Sequence, residues 1–227
     1  MQVKDSRFYL QHRGSMRHSE SNALPAHSLK VCRGAVHCPH AVSGQNIGAE
    51  LEAVVEDSGW SRFLADRTNP IRHHHQFRLA VSSCPNGCSQ PHITDFGLIS
   101  AVRIGLAPDS CSGCGQCVMV CAEKALHLED GMIRLDPSRC LGCAACVRVC
   151  PAGALRAEQT AYRVVLGGKL GRHPRLAHEL GFHTLPEALG IVDRVLRVLM
   201  ENHRPGLRLG TLIEEMGRET FNAKVRA

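Results

Sequence analysis

Aromatic residues are scarce: the 227-residue chain has one Trp, two Tyr and six Phe. That is too few for the stacking platform on which a nucleic-acid binder lays its bases. Long apolar runs are also missing, because charge or glycine interrupts each one well short of the ~20 residues needed to cross a bilayer. The first thirty or so positions lack a basic start followed by an apolar stretch of the kind that directs export. These absences predict a soluble cytoplasmic protein with no nucleic-acid partner and no membrane insertion. In that compartment thiols stay reduced, so the 12 cysteines point to metal rather than to disulfides.

The formal charge of +6 fits the same reading. Cysteines bound to metal as thiolates would add negative charge and bring that total down. The basic excess then needs no nucleic acid to balance it.

Eight of the cysteines form an internal repeat. Cys111, Cys114, Cys117 and Cys121 follow Cys-x2-Cys-x2-Cys-x3-Cys. Cys140, Cys143, Cys146 and Cys150 repeat that spacing, with Pro151 behind the last cysteine and Ala122 at the matching place in the first copy. Between the copies, Ala125 to Glu129 and Met132 to Leu135 flank Asp130-Gly131, a short-hairpin signal. Zinc knuckles separate their cysteine pairs by longer loops. The pattern resembles the bacterial two-cluster ferredoxin, in which three close cysteines wrap one face of a cubane and the fourth ligand comes from the other motif. The resemblance implies one cluster on Cys111, Cys114, Cys117 and Cys150, and a second on Cys140, Cys143, Cys146 and Cys121.

Four cysteines remain, in two pairs: Cys32 with Cys38, and Cys84 with Cys88. Together they make one more tetrathiolate site, and spacing alone admits either structural zinc or a third cluster. The flanking residues are more telling. Cys-x5-Cys followed by Cys84-Pro85-Asn86-Gly87-Cys88 is similar to the cluster-binding half of the sirohaem-dependent sulfite and nitrite reductases. The resemblance continues through Asp95-Phe96-Gly97 and Gly167-Gly168-Lys169-Leu170-Gly171-Arg172, and it ends in an amphipathic helical tail. It implies three [4Fe-4S] clusters and a sirohaem, with Cys88 bridging the third cluster to the sirohaem iron. Asn86, Gly167 and Gly168 would let backbone approach the macrocycle, while Arg33, Lys169, Arg172 and Arg175 would face its carboxylates. The implied fold is an α/β (α+β) sulfite/nitrite reductase cluster-binding domain with an inserted two-cluster ferredoxin-like domain.

The organisation expected along the chain is an arm over 1–28, a discontinuous domain over 29–105 and 158–227, and the ferredoxin insertion over 106–157. Leu51, Val54, Val55 and Leu64 suit a helix broken near Gly59. Strands are expected over Phe77 to Ser83, Phe96 to Ile104 and Tyr162 to Leu166. Thr184 with Glu187 and Thr211 with Glu214 read as capping boxes, and Leu189, Val192, Leu196 and Leu199 form one helical stripe.

An anionic substrate on such a macrocycle needs cations and proton donors. Strand alternation would put His74, Gln76 and Arg78 on one face ahead of Cys84, and these are the candidate catalytic residues. Family members pair this half with a preceding half that about thirty residues before Cys32 cannot supply. Either the sequence is a fragment, or a second subunit or second copy is expected to complete the site, with a further protein or subunit to donate electrons. The alternative is an electron-transfer subunit without sirohaem.

Overall fold

The structure, a computed structural model, describes residues 24–34, 38–43 and 46–226. Its main sheet has the strand order β1-β2-β3-β6-β7. β1 (His27–Val31), β2 (Phe77–Ser82) and β3 (Phe96–Leu106) run parallel, and β6 (Leu155–Leu166) and β7 (His178–His183) continue it antiparallel. A separate hairpin pairs β4 (Leu126–Glu129) with β5 (Met132–Leu135). The helices are α1 (Gly48–Asp57), α2 (Trp60–Ala65), α3 (Gln116–Val120), α4 (Ala145–Val149), α5 (Leu185–Glu201), α6 (Leu209–Met216) and α7 (Arg218–Arg226).

One face of the sheet carries the core. Period-two alternation directs Phe77, Leu79 and Val81 of β2, Phe96 and Leu98 of β3, and Tyr162, Val164 and Leu166 of β6 the same way. All of them join one buried cluster with apolar residues of α1, α2, α5, α6 and α7. Each fully buried large apolar side chain contributes about 1.5–3 kcal/mol. On α5, Val192, Leu196 and Leu199 point inward as expected, while Leu189 stays partly covered and Ile191 and Val195 widen the stripe. Thr184 closes the expected capping box with Glu187. Gly59, at φ 78°, separates α1 from α2 as the sequence suggested.

The opposite face, with Gly97, Ile99 and Ala101 on β3 and Ala161, Arg163 and Val165 on β6, lies under loops instead of helices. A Cβ on Gly97 would stand 2.7 Å from Pro91 and 2.6 Å from Val165, so the loop after Cys88 rests directly on the sheet. Farther along β3, β2 no longer pairs beyond Ile99. The vacated edge is taken by a cysteine loop: the Val102 amide donates to the Gly142 carbonyl at 2.9 Å. A Cβ on Gly142 would meet Ala101 Cβ at 2.9 Å.

Between Leu106 and Leu155 the chain leaves the sheet and returns on adjacent antiparallel strands. This excursion holds the cysteine repeat. Its two halves share backbone as well as sequence: left-handed residues recur at Gly113 and Gly142, at Gly115 and Ala144, and at Lys124 and Gly153. Short helices α3 and α4 follow at matching places. Ala144, at φ 57°, holds a conformation that glycine takes more cheaply by roughly 1 kcal/mol. The turn at Asp130-Gly131 has positive φ at both positions, as a type I′ hairpin requires.

Four elements differ from expectation. β1 starts at His27, inside the stretch read as an arm, whose residues 1–23 lie outside the described residues. β6 begins at Leu155 rather than Tyr162, and β7 has no counterpart among the expected strands. Thr211 is inside α6 rather than capping it: the helix starts after Arg208, whose side chain is bound to Asp95, and no side chain caps it.

Four histidines, His75, His92, His178 and His183, are held below the ordinary histidine value, chiefly by burial. The unfolded chain then takes up protons that the folded chain refuses as pH falls through about 6.5. Stability present at neutral pH is lost on acidification. Anaerobic thermal scans should show the midpoint falling between about pH 7 and about pH 5, and His178→Gln with His183→Gln should flatten that slope. A slope unchanged by the two substitutions would assign the acid loss to other groups.

Candidate functional site

Cys84 and Cys88 flank the turn that follows β2, while Cys32 follows β1 directly, its amide bonded to the Val81 carbonyl at 2.8 Å. Parallel pairing of β1 and β2 thus brings the two pairs to the same end of the sheet. The Cys84 thiol is buried and pushed up by that burial, with Cys38, Cys88 and Cys32 all close enough to add to the effect. Cys32 goes the other way: burial opposes, but the Gly34 and Ser83 amides and the Ser83 hydroxyl outweigh it and hold the thiol down. Cys88 is exposed, and its Sγ accepts from Asn86 Nδ2 at 3.1 Å. One of the four sulfurs therefore faces outward.

In the cysteine-rich excursion the thiols surround two recesses. Cys111, Cys114, Cys117 and Cys150 line one, against Leu128 and Ile133 of the hairpin. Cys121, Cys140, Cys143 and Cys146 line the other, a cavity of about 560 Å³. Its wall also includes Cys84, Pro85, Asn86 and His40, so it joins the excursion to the end of the main sheet. Each recess draws three cysteines from one motif and one from the other. Among the described residues, no three such groups converge on a point where a single ion would sit.

Electrostatics sharpen the picture. Burial pushes the Cys146 thiol up to about 11, with Cys143 and Cys140 adding to it. Burial likewise raises Cys117, helped by Cys150 and Cys111, and Cys140, helped by Cys143 and Cys121. Thiols crowded and desolvated in this way become thiolates when a cationic core supplies the missing charge. Backbone amides are already aimed at several sulfurs, Ala125 at Cys121 (3.3 Å), Gly113 at Cys111 (3.5 Å) and Gly34 at Cys32 (3.3 Å). The donor set fits iron-sulfur clusters.

The glycine loop after β6 turns out to be tightly packed. A Cβ on Gly168 would lie 2.4 Å from the His92 carbonyl, and one on Gly167 would lie 2.9 Å from Ile213. Contacts within the protein thus already demand glycine at both positions. Beyond them, Lys169 and Arg175 exchange both backbone hydrogen bonds at 2.9 Å and close a short loop. That loop exposes Arg172 and Leu170, and Leu176 follows it; the two leucines are 64% and 73% exposed. Arg33 is exposed beside Cys32. A surface both cationic and apolar is what a carboxylated macrocycle needs on one side.

The expectation that His74, Gln76 and Arg78 share a strand face is corrected. β2 starts at Phe77, so His74 lies in the preceding turn, its ring against His75. Gln76 is 6% exposed, and its side-chain amide donates to the Pro25 and His27 carbonyls. Arg78 reaches back to the His73 carbonyl. These residues sit at the start of β2 and Cys84 follows its end, a strand length of about 20 Å.

Two buried ion pairs escaped sequence reading. Asp95, 2% exposed, accepts from Arg208 Nη2 at 2.6 Å and from the Arg78 amide at 3.0 Å. This pair ties the start of α6 to β2 and β3. Arg163, 8% exposed, is paired with Glu179 across β6 and β7. A lone arginine in the otherwise apolar run Tyr162-Arg163-Val164-Val165-Leu166 was the available signal.

A coenzyme F420-dependent sulfite reductase of Methanocaldococcus jannaschii is 34% identical over 196 residues, covering 86% of this chain and 29% of that protein. One subunit of the anaerobic sulfite reductase of Salmonella typhimurium is 30% identical over 92 residues, covering 38% of this chain and 27% of that one. The chain thus spans less than a third of these relatives. The crystal structure of dissimilatory sulfite reductase I superposes with a TM-score of 0.57 at 16% identity, over 89% of this chain and 53% of the other, and shares the fold. With residues 27–227 also matching the nitrite and sulphite reductase 4Fe-4S domain, the chain belongs to that family.

Proposed function

We propose that this chain is the iron-sulfur redox subunit of a sirohaem-type reductase, carrying electrons through three [4Fe-4S] clusters to a sirohaem where sulfite is reduced to sulfide, or nitrite to ammonia, by six electrons. The observation that carries it is the shared cavity, in which cysteines of the repeat and Cys84 with Asn86 line one space. In this reading Cys111, Cys114, Cys117 and Cys150 hold the outer cluster of a two-cluster ferredoxin unit. Cys140, Cys143, Cys146 and Cys121 hold the inner one, and Cys32, Cys38, Cys84 and Cys88 the third. When bound, the clusters store and pass electrons and the sirohaem supplies the iron at which substrate reacts.

The chain's own groups do the rest. Cys88 presents its sulfur outward, steadied by Asn86, where a macrocycle iron could share it. Arg33, Lys169 and Arg172 offer charge to macrocycle carboxylates. Leu170 and Leu176 are exposed next to Lys169 and Arg175 along the chain, and a second subunit or second copy covers that surface and supplies the substrate-facing cations that His74 and Gln76 cannot. An electron donor protein or subunit meets the outer cluster. Among the described residues no helix is long and apolar enough to cross a membrane.

The test is an anaerobic absorption spectrum with iron and acid-labile sulfide counts, on protein co-expressed with sirohaem synthesis and its neighbouring subunits. About twelve non-haem irons per chain together with sirohaem bands are expected. Clusters without tetrapyrrole, in the complete assembly, would move the reading to an electron-transfer subunit serving a partner oxidoreductase. A stoichiometric zinc content with no labile sulfide would end it.

A further inference from the structure

The loop-covered face of the sheet has an order along β3 and β6. At Gly97 and Val165 it is covered by Pro91, from the segment that follows Cys88. At Ala101 it is met by Gly142, two residues after Cys140, which comes in from the edge of β3 that β2 has vacated. Between these positions stands one pair, Ile99 with Arg163. Residues two apart on a strand share a face and are separated by about 7 Å. Arg163 is therefore flanked on one side by the loop bearing Cys84 and Cys88 and on the other by the loop bearing Cys140 and Cys143.

A buried arginine needs a reason. Its side chain is 9% exposed, and its one anionic partner, Glu179, is 37% exposed at the sheet's outer strand. The pair is lopsided: the cation is inside, where charges act at low effective dielectric, and the anion is half in water, where its field is screened. Seen from the interior, the net effect is positive.

We propose that Arg163 is a tuning residue for electron transfer, a buried fixed cation between the two cysteine loops that raises the reduction potential of the clusters they hold, with Glu179 setting how much. The inference rests on the cluster assignment proposed above. A cluster gains one negative charge on accepting an electron, so a nearby cation favours its reduced form. Arg163 thus makes the inner end of the relay a better resting place for electrons than the outer end, whose cysteines lie off the sheet. It acts through the clusters and touches no substrate.

The experiment is an anaerobic redox titration followed by electron paramagnetic resonance on the full chain loaded with clusters. Intact clusters in the wild type establish the assignment first, so its failure and the failure of this inference are told apart. Arg163→Gln should lower the potential of at least one cluster by about tenfold in the reduction equilibrium, about 59 mV for one electron. Glu179→Gln should shift the same signal upward, and Arg163→Lys should return it toward the wild-type value. Arg156→Gln removes an exposed cation from the same strand and should leave the potentials in place. Should Arg163→Gln fail to fold, the upward shift in Glu179→Gln decides the matter. Unmoved potentials in Glu179→Gln, or equal shifts in Arg163→Gln and Arg156→Gln, would overturn the proposal.

Discussion

With Cys150 replaced by alanine, anaerobic alkylation is expected to mark Cys111, Cys114 and Cys117, although Cys150 belongs to the other sequence motif. The recess shared by these residues is the reason: Cys150 lines it with the first three cysteines of the earlier copy, and Cys150 and Cys111 both add to the upward push on Cys117. Cys121→Ala should give the mirror result, freeing Cys140, Cys143 and Cys146. Each variant should lose about four irons per chain, and with them passage of electrons across the unit. Peptide mass mapping after labelling reads the outcome directly. Labels on Cys140, Cys143 and Cys146 in the Cys150 variant would mean that each motif binds its own cluster, and the crossover would be wrong.

The second large effect is expected at Arg208. Its guanidinium is the cation bound to Asp95, whose side chain is 3% exposed. Arg208→Ala leaves that carboxylate buried with the Arg78 amide alone. Breaking a buried pair from one side costs about 3–5 kcal/mol, a large fraction of the roughly 5–15 kcal/mol typical of a domain. Adding Asp95→Asn should recover part of the loss, since no buried charge then remains, and the double-mutant cycle isolates the coupling. Anaerobic denaturant titration measures it. A loss below about 1 kcal/mol would place the pair with solvated surface bridges.

What could be read from sequence, and what could not, follows from how locally each feature is encoded. The cysteine repeat, the Asp130-Gly131 turn, the break at Gly59 and the Thr184 cap depend on a few neighbouring residues, and the structure shows those turns and that cap as expected. β1 and β7 are edge strands, and their sequences, His27-Ser28-Leu29-Lys30-Val31 and His178-Glu179-Leu180-Gly181-Phe182-His183, carry just two apolar side chains each, Leu29 with Val31 and Leu180 with Phe182, too few to announce a strand. The first half of β6 is hidden for a related reason: Arg156 to Thr160 are exposed on a ribbon that no layer covers, so nothing in their composition announces a strand. Thr211 with Glu214 meets the capping spacing by coincidence, because the start of α6 is set by Arg208 and Asp95, 113 positions apart. The His74 to Arg78 face fails on a boundary, the strand starting at Phe77.

The way the repeat is attached has a consequence for how such a molecule is assembled. Leu106 and Leu155 are register partners, so the chain ends of the excursion already lie side by side. To the sheet, everything between them is a turn. Closing a longer turn costs little extra entropy, about 0.6 kcal/mol for each doubling of its length. The cysteine repeat can thus be plugged into the sheet as a cartridge, leaving the register of every other strand alone. The Val102 to Gly142 hydrogen bond then latches the cartridge against β3, and with it the face that it turns toward Cys84.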